Sequence, residues 1–314
     1  MSVDAFGYKR PLEGNTFTVD PIEEHREYRV FKLTYDSPVK TKYPRNNEVV
    51  NYVYKPNGEP RRAVVILHCL HEKTRLTQRI ISLYLVSHNF CAINFTLPYH
   101  LERTPKWHKS GDIFLTTNPK QNFEAYRQSV VDLRLLADFL ESMDIRSIGI
   151  TGVSLGALVL NTLMGIDKRF RAGVPIAGGG GLHYIVVKGI KGISLKYAYI
   201  KRQNGDGKSF EELNTIFHNY IKKVWETNTV LEPPSSDEEW FLIDPLTYAK
   251  FNSPRKIFMI NGAIDLVVPR VGVEEFRSAV GNPPIVWLPS FHTTTVLLLP
   301  FVVGKMVEFF EESL

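Results

Sequence analysis

Ser147-Ile148-Gly149-Ile150-Thr151-Gly152-Val153-Ser154-Leu155-Gly156-Ala157-Leu158-Val159-Leu160-Asn161-Thr162-Leu163 is the stretch on which the reading of this chain turns. It opens as a short apolar run of the kind buried on both faces of a sheet and closes as a helix-forming run. Between them stands G-x-S-x-G. In that context the serine occupies a tight strand-to-helix bend that lifts its hydroxyl out at the top of the sheet. Gly152 and Gly156 suit the bend because a Cβ at either would meet the adjoining strand or helix. Ser154 is therefore the first candidate nucleophile.

Working outward, Tyr28 to Tyr35 and Val50 to Tyr54 alternate with period two, as half-buried antiparallel strands do. After the turn at Pro56-Asn57-Gly58-Glu59 comes Ala63-Val64-Val65-Ile66-Leu67, an unbroken apolar run that predicts a fully buried strand. A helix is expected near Thr77 to Ser87 and a further strand over Phe90 to Phe95. In the stretch Asn122 to Glu141, Phe123, Tyr126, Val130, Leu133, Ala137 and Leu140 recur at helical spacing. Strands follow at Ala172 to Ala177, Lys256 to Ile260 and Pro284 to Leu288, and a helix over about Val296 to Glu312 closes the chain. Antiparallel strands followed by alternating strands and helices predict an α/β fold, with a mostly parallel sheet covered on both faces.

The alternation stops between Gly181 and Ile243. Helices are expected there near Ile185 to Tyr197 and Phe210 to Thr227, with a loop around Pro233 to Glu239. The expected organisation is a core of residues 1–181 and 244–314, with a cap insertion over 182–243. Gly178-Gly179-Gly180-Gly181 lacks the Lys-Ser/Thr of a phosphate-binding loop, so a close passage of backbone beside Ser154 is the better reading.

A serine hydroxyl attacks only when a base removes its proton and a carboxylate orients that base. His292 lies just past the final expected strand. Asp265, in Asn261-Gly262-Ala263-Ile264-Asp265, lies just past the strand before it. Both would emerge with Ser154 at the C-terminal edge of one sheet, where open α/β sheets place their sites. Asp244 is a rival acid, but Asp244-Pro245-Leu246 reads better as a helix start. His100, His108 and His183 are rival bases that do not follow the last strand. Charge developing on a substrate oxygen needs backbone donors. Those expected are the N–H of Leu155 and an N–H of the loop His68-Cys69-Leu70-His71, with Leu70 the favoured residue.

The ordered set of His68-Cys69-Leu70, Gly152 to Gly156, Gly262-Ala263-Ile264-Asp265 and Phe291-His292 resembles the α/β-hydrolase superfamily from about Tyr28 to the C-terminus, apart from the cap. The segment Pro98-Tyr99-His100-Leu101-Glu102-Arg103 is similar to that of a little-characterised branch. The resemblance implies a Ser-His-Asp hydrolase without cofactor, acting on carboxylic esters or related acyl bonds, and no paired Cys or His ligand spacing points to a metal site. One departure is Cys69, where many relatives place glycine. His71, His100, Arg103 and Trp107 are candidate pocket residues, and His68 is expected to fix its loop. Thioester or lipid acyl hydrolysis is an alternative within enzymes, and a non-catalytic binding module on the same fold is one outside them.

Whole-chain properties narrow the partners. The 314 residues are 44% hydrophobic and 23% charged, an ordinary globular balance. The net charge of +5 is scattered, and no nucleic-acid module is recognisable. Lys188, Lys191, Lys196, Lys201 and Arg202 sit among apolar residues in the cap. They form either a solvated face or a surface for transient contact with an anionic membrane. Met1 to Asn15 has no apolar core, so no secretory signal is expected and a cytoplasmic location is the default. Cys69 and Cys91 fall at opposite ends of neighbouring strands, about 20 Å apart at ~3.3 Å per residue, too far for a disulfide. Oligomeric state stays open.

Overall fold

The computed structural model describes residues 4–8, 16–116, 118–188, 209–252 and 256–314. Ten strands form one sheet among them: β1 (Thr18–Glu24), β2 (Tyr28–Asp36), β3 (Glu48–Pro56), β4 (Arg62–Leu67), β5 (Cys91–Phe95), β6 (Ser147–Val153), β7 (Phe170–Ile176), β8 (Lys256–Ile257), β9 (Met259–Gly262) and β10 (Ile285–Leu288). The order is β1-β2-β3-β5-β4-β6-β7-β9-β10, with β8 beside β7. Strands β1, β2, β3 and β5 pair antiparallel in succession, and every pairing from β5 through β4 to β10 is parallel.

The helices are α1 (Pro44–Asn47), α2 (Leu76–Ser87), α3 (Pro119–Ser142), α4 (Leu155–Ile166), α5 (Leu182–Lys188), α6 (Phe210–Thr227), α7 (Pro245–Tyr248), α8 (Arg270–Ala279) and α9 (Leu299–Ser313). Residues of β4 alternate between the sheet faces, as a period-two backbone requires. Ala63, Val65 and Leu67 join the cluster built with α3 and α4, while Val64 and Ile66 join the one built with α2 and α9. The sheet is thus covered on both faces, as its unbroken apolar runs imply.

Edge strand β1 escapes sequence reading. All seven of its residues are exposed, it contains Pro21, and its pairing slips between Pro21 and Glu23. An exposed edge has no buried face to impose alternation, and proline is tolerated where no partner awaits its missing N–H.

In the stretch expected to form a cap, the helix expected near Ile185 to Tyr197 is α5 as far as Lys188. The remainder, with Lys191, Lys196, Lys201 and Arg202, lies outside the described residues. Helix α6 spans the expected Phe210–Thr227. A capping box starts it: the Ser209 side chain accepts from the Glu212 N–H, and Glu212 returns a bond to the Ser209 N–H. Among the described residues no helix is long and apolar enough to cross a membrane.

Cys69 and Cys91 both carry free thiols. Cys91 pairs in register with Ala63, at the far end of β4 from Cys69.

Candidate active site

Because β4, β6, β9 and β10 run parallel, the loops leaving their C-terminal ends share one edge of the sheet. Those loops carry His68 to His71, Ser154, Asp265 and His292.

Ser154 caps α4 with φ 53° and ψ −111°, a conformation an L-residue adopts only when its surroundings impose it. They impose it here by contact. A Cβ on Gly152 would lie 2.5–2.9 Å from the backbone of Gly156 and Ala157, and one on Gly156 would lie 2.7–2.8 Å from Leu67 and His68. Both glycines are demanded by close passage of backbone, as expected, and the Ser154 N–H is bonded to the Ile176 carbonyl at 2.9 Å. Gly178 likewise passes against Ala157 on α4.

The Ser154 Oγ is 2.8 Å from His292 Nε2, and His292 Nδ1 is 2.7 Å from Asp265 Oδ2. The other Asp265 oxygen accepts the N–H groups of Val267 and Val268 at 2.8 and 2.9 Å. The carboxylate is thereby fixed on both sides, with its side chain only 2% exposed. The acid and base loops are also laced to each other. Ala263 N–H donates to the Leu288 carbonyl at 2.8 Å, and Ile264 N–H donates to the Ser290 carbonyl at 3.2 Å. The structure therefore brings the three sequence-selected side chains into one hydrogen-bonded line. About half-exposed apolar residues adjoin two of the three in sequence: Ile264 and Leu266 flank Asp265, and Phe291 precedes His292.

Leu155 is the first residue of α4, so its N–H has no carbonyl acceptor within the helix. Leu70 lies in a turn after β4, two residues beyond the His68 carbonyl that Gly156 touches. His68 is 2% exposed. Its Nδ1–H donates to the Cys69 carbonyl at 2.8 Å and its Nε2 accepts the Leu97 N–H at 3.1 Å. Burial holds the His68 ring well below the ordinary imidazole range, so it is neutral at pH 7. It ties down its loop.

The four candidate pocket residues separate. Arg103 does not line a pocket. It is fully buried, paired with Asp132 at 2.8 Å, and donates to the carbonyls of Asn46 and Thr96. His100 does not line one either, being fully buried with both ring nitrogens bonded to protein. Trp107 is 100% exposed. His71 has an exposed side chain whose Nδ1 is bonded to the Ser110 carbonyl. An open depression bounded by Glu72, Lys73, Leu101, Glu102, Thr104 and Ser110 includes none of Ser154, Asp265 and His292. Of the rival bases, His183 bonds Asn214 and His108 stands against Tyr43.

Asp244 does begin a short helix. Its carboxylate accepts the Leu246 N–H at 3.0 Å, and also those of Gly181 and Leu182 at 2.9 and 2.6 Å. Complete burial nevertheless pushes it up to about 6. Between about pH 4 and 6 the folded chain therefore holds a proton that the unfolded chain releases, so stability falls as pH rises through that window. An Asp244→Asn variant should lack this fall, worth roughly 3 kcal/mol at ~1.4 kcal/mol per pH unit. Urea unfolding of both proteins at pH 4, 5, 6 and 7 measures the difference.

No family model matches the chain, and no curated protein sequence does. Solved structures do match. An acetyl xylan esterase from Paenibacillus sp. R4 is 15% identical with a TM-score of 0.59, covering 97% of this chain and 90% of its own. An acylaminoacyl peptidase from Pyrococcus horikoshii is 16% identical with a TM-score of 0.62, covering 92% of this chain and 42% of its own. An α/β hydrolase from Penicillium sp. sh18 is 11% identical with a TM-score of 0.56, covering 90% of this chain and 98% of its own. The chain has the α/β-hydrolase fold.

Proposed function

We propose that this protein is a serine hydrolase that cleaves carboxylic esters through an acyl-enzyme intermediate. The observation that carries the reading is the line from Asp265 Oδ2 through His292 to Ser154 Oγ, with both contacts at 2.7–2.8 Å. Likeness in fold to esterases is consistent with it.

In this reading His292 Nε2 takes the Ser154 proton as Oγ attacks the ester carbonyl carbon. Asp265 accepts from Nδ1–H, keeps the ring in the right tautomer and stabilises its cation. The carbonyl oxygen becomes an oxyanion held by the N–H groups of Leu155 and Leu70. His292 then gives its proton to the leaving alcohol. In the second half it deprotonates a water that attacks the acyl carbon, and Ser154 departs with the proton. The described parts of the insertion, residues 182–188 and 209–243, act as a cap over this site, and His71, the residue after Leu70, faces the leaving group.

Two measurements test the reading. A fluorophosphonate probe should add its phosphonyl group to the tryptic peptide carrying Ser154, read by mass spectrometry. A p-nitrophenyl ester series should give turnover with an optimum in acyl length that sizes the acyl pocket. Failure of Ser154 to label favours the non-catalytic binding module, while a labelled chain inactive on every p-nitrophenyl ester points to amides, thioesters or phospholipids.

The exposed apolar side chains of Ile264, Leu266 and Phe291, next in sequence to Asp265 and His292, favour one second reading, a lipid acyl hydrolase. That reading expects the rate on a long-chain ester to rise steeply above the concentration at which the ester aggregates. A rate that saturates below that point assigns the site to dissolved esters.

A further inference from the structure

We propose that His100 is a positioning residue for the oxyanion loop: its ring holds the His71 N–H and thereby fixes the peptide on the C-terminal side of Leu70. The inference rests on the reading of Leu70 as an oxyanion donor and goes beyond it.

The direction of the Leu70 N–H is set by the two peptide planes that flank its Cα. The plane before it contains the Cys69 carbonyl and the Leu70 N–H, which point opposite ways because the peptide is trans. His68 holds that plane by donating to the Cys69 carbonyl at 2.8 Å. The plane after it contains the His71 N–H, which donates to His100 Nε2 at 3.3 Å. With both planes held, Leu70 has no free backbone rotation.

Both rings are anchored to one short segment beyond β5. Leu97 N–H donates to His68 Nε2 at 3.1 Å, and His100 Nδ1–H donates to the Pro98 carbonyl at 2.8 Å. The ring centroids lie 4.7 Å apart, and Phe114 backs the His100 ring at 5.6 Å. An N–H can only donate and a carbonyl can only accept, so His100 must be neutral and protonated on Nδ1. Its environment keeps it so, since burial lowers it to about 4.

The backbone around this ring is forced into place. Tyr99 and Leu101, on either side of His100, have φ of 62° and 48°, and His71 has φ of 58°. Left-handed backbone at three non-glycine residues persists only where contacts impose it, and such strain gathers at functional sites. Here the Tyr99 N–H donates to Asn46 Oδ1 at 2.7 Å and the Leu101 N–H to Ser110 Oγ at 3.1 Å. Gly111 closes the arrangement: a Cβ there would lie 2.7 Å from His100 Nε2 and 2.9 Å from the His71 nitrogen.

The test compares His100→Leu with His100→Gln on an ester that the wild type hydrolyses. Deleting an oxyanion donor costs ~10²–10³ in kcat, and loosening one costs less. His100→Leu should therefore lower kcat ~10–100-fold while KM stays within about threefold. The inhibition constant of a trifluoromethyl ketone, which forms the tetrahedral oxyanion on Ser154, should rise by the same factor as kcat falls. His100→Gln offers a carbonyl oxygen near the place of Nε2 and should recover most of the loss. In the wild type, nitrogen-15 NMR of the ring should find Nδ1 protonated and Nε2 bare down to pH 5.

A folded His100→Leu variant with wild-type kcat overturns the proposal, as does an Nε2–H tautomer in the wild type. Should the leucine variant not fold, the tautomer and the glutamine variant decide. A wild type that neither labels at Ser154 nor turns over esters brings down the hydrolase reading and this inference together. A labelled, active wild type with an unaltered leucine variant removes the inference alone.

Discussion

Replacing Ser154 with alanine should lower ester turnover by ~10⁴–10⁶-fold, the scale seen when one member of such a line is removed. What survives would be acceleration by the backbone donors and by binding alone. The fold should barely notice, because the variant loses one hydrogen bond, from Oγ to His292 Nε2, worth about 1 kcal/mol. Glycine at the same position separates chemistry from strain. It too removes the nucleophile, but it adopts positive φ without penalty, and Ser154 sits at φ 53°. Ser154→Gly should therefore be inactive yet unfold about 1 kcal/mol later than Ser154→Ala in urea. Paired kinetics and unfolding curves check both halves, and appreciable turnover by the alanine variant would remove Ser154 from the mechanism.

The largest effect on stability should come from Arg103→Met. Arg103 and Asp132 are both fully buried and 2.8 Å apart, and Ser37 Oγ donates to the other Asp132 oxygen at 2.6 Å. The guanidinium also holds the Asn46 and Thr96 carbonyls, so it joins α1, the end of β5 and α3. Methionine fills much of the space but strips the buried carboxylate of its counter-charge and the Asn46 and Thr96 carbonyls of the guanidinium's N–H groups. Breaking one side of such a pair costs about 3–5 kcal/mol, read as a shift of the urea midpoint at unchanged slope. The double variant Arg103→Met with Asp132→Leu should regain part of that loss, since neither charge is then stranded.

These two positions also mark where sequence reading works and where it stops. Ser154, Asp265 and His292 are legible because each follows a strand marked by an apolar run, and parallel strands send such residues to one edge. Chain order and strand context carry the information, with no need of distances. Arg103 offers no comparable mark. An arginine among polar neighbours looks the same on a pocket wall as in an interior, and its partner lies on α3. The available sign was on that helix, where Gln128 and Asp132, four apart, share a buried face with Ala125, Leu135 and Leu136.

His100 is illegible for a related reason. Its partners are a backbone N–H and a backbone carbonyl, which leave no trace in composition. Trp107 carries no sequence mark that separates a pocket wall from the surface, and here the chain leaves it bare. Strand β1 fails for the reverse reason: pairing alone creates it, and pairing without burial imposes no pattern.

The Asp244 carboxylate gathers N–H groups from Gly181, Leu182 and Leu246, so the chain departs from the sheet region and rejoins it at almost the same spot. Whatever is strung between those points begins and finishes at a fixed doorway. Lengthening a tether whose ends are already joined costs only ~0.6 kcal/mol per doubling. The intervening sixty-odd residues can therefore be exchanged like a fitting while the sheet and its loops keep their alignment.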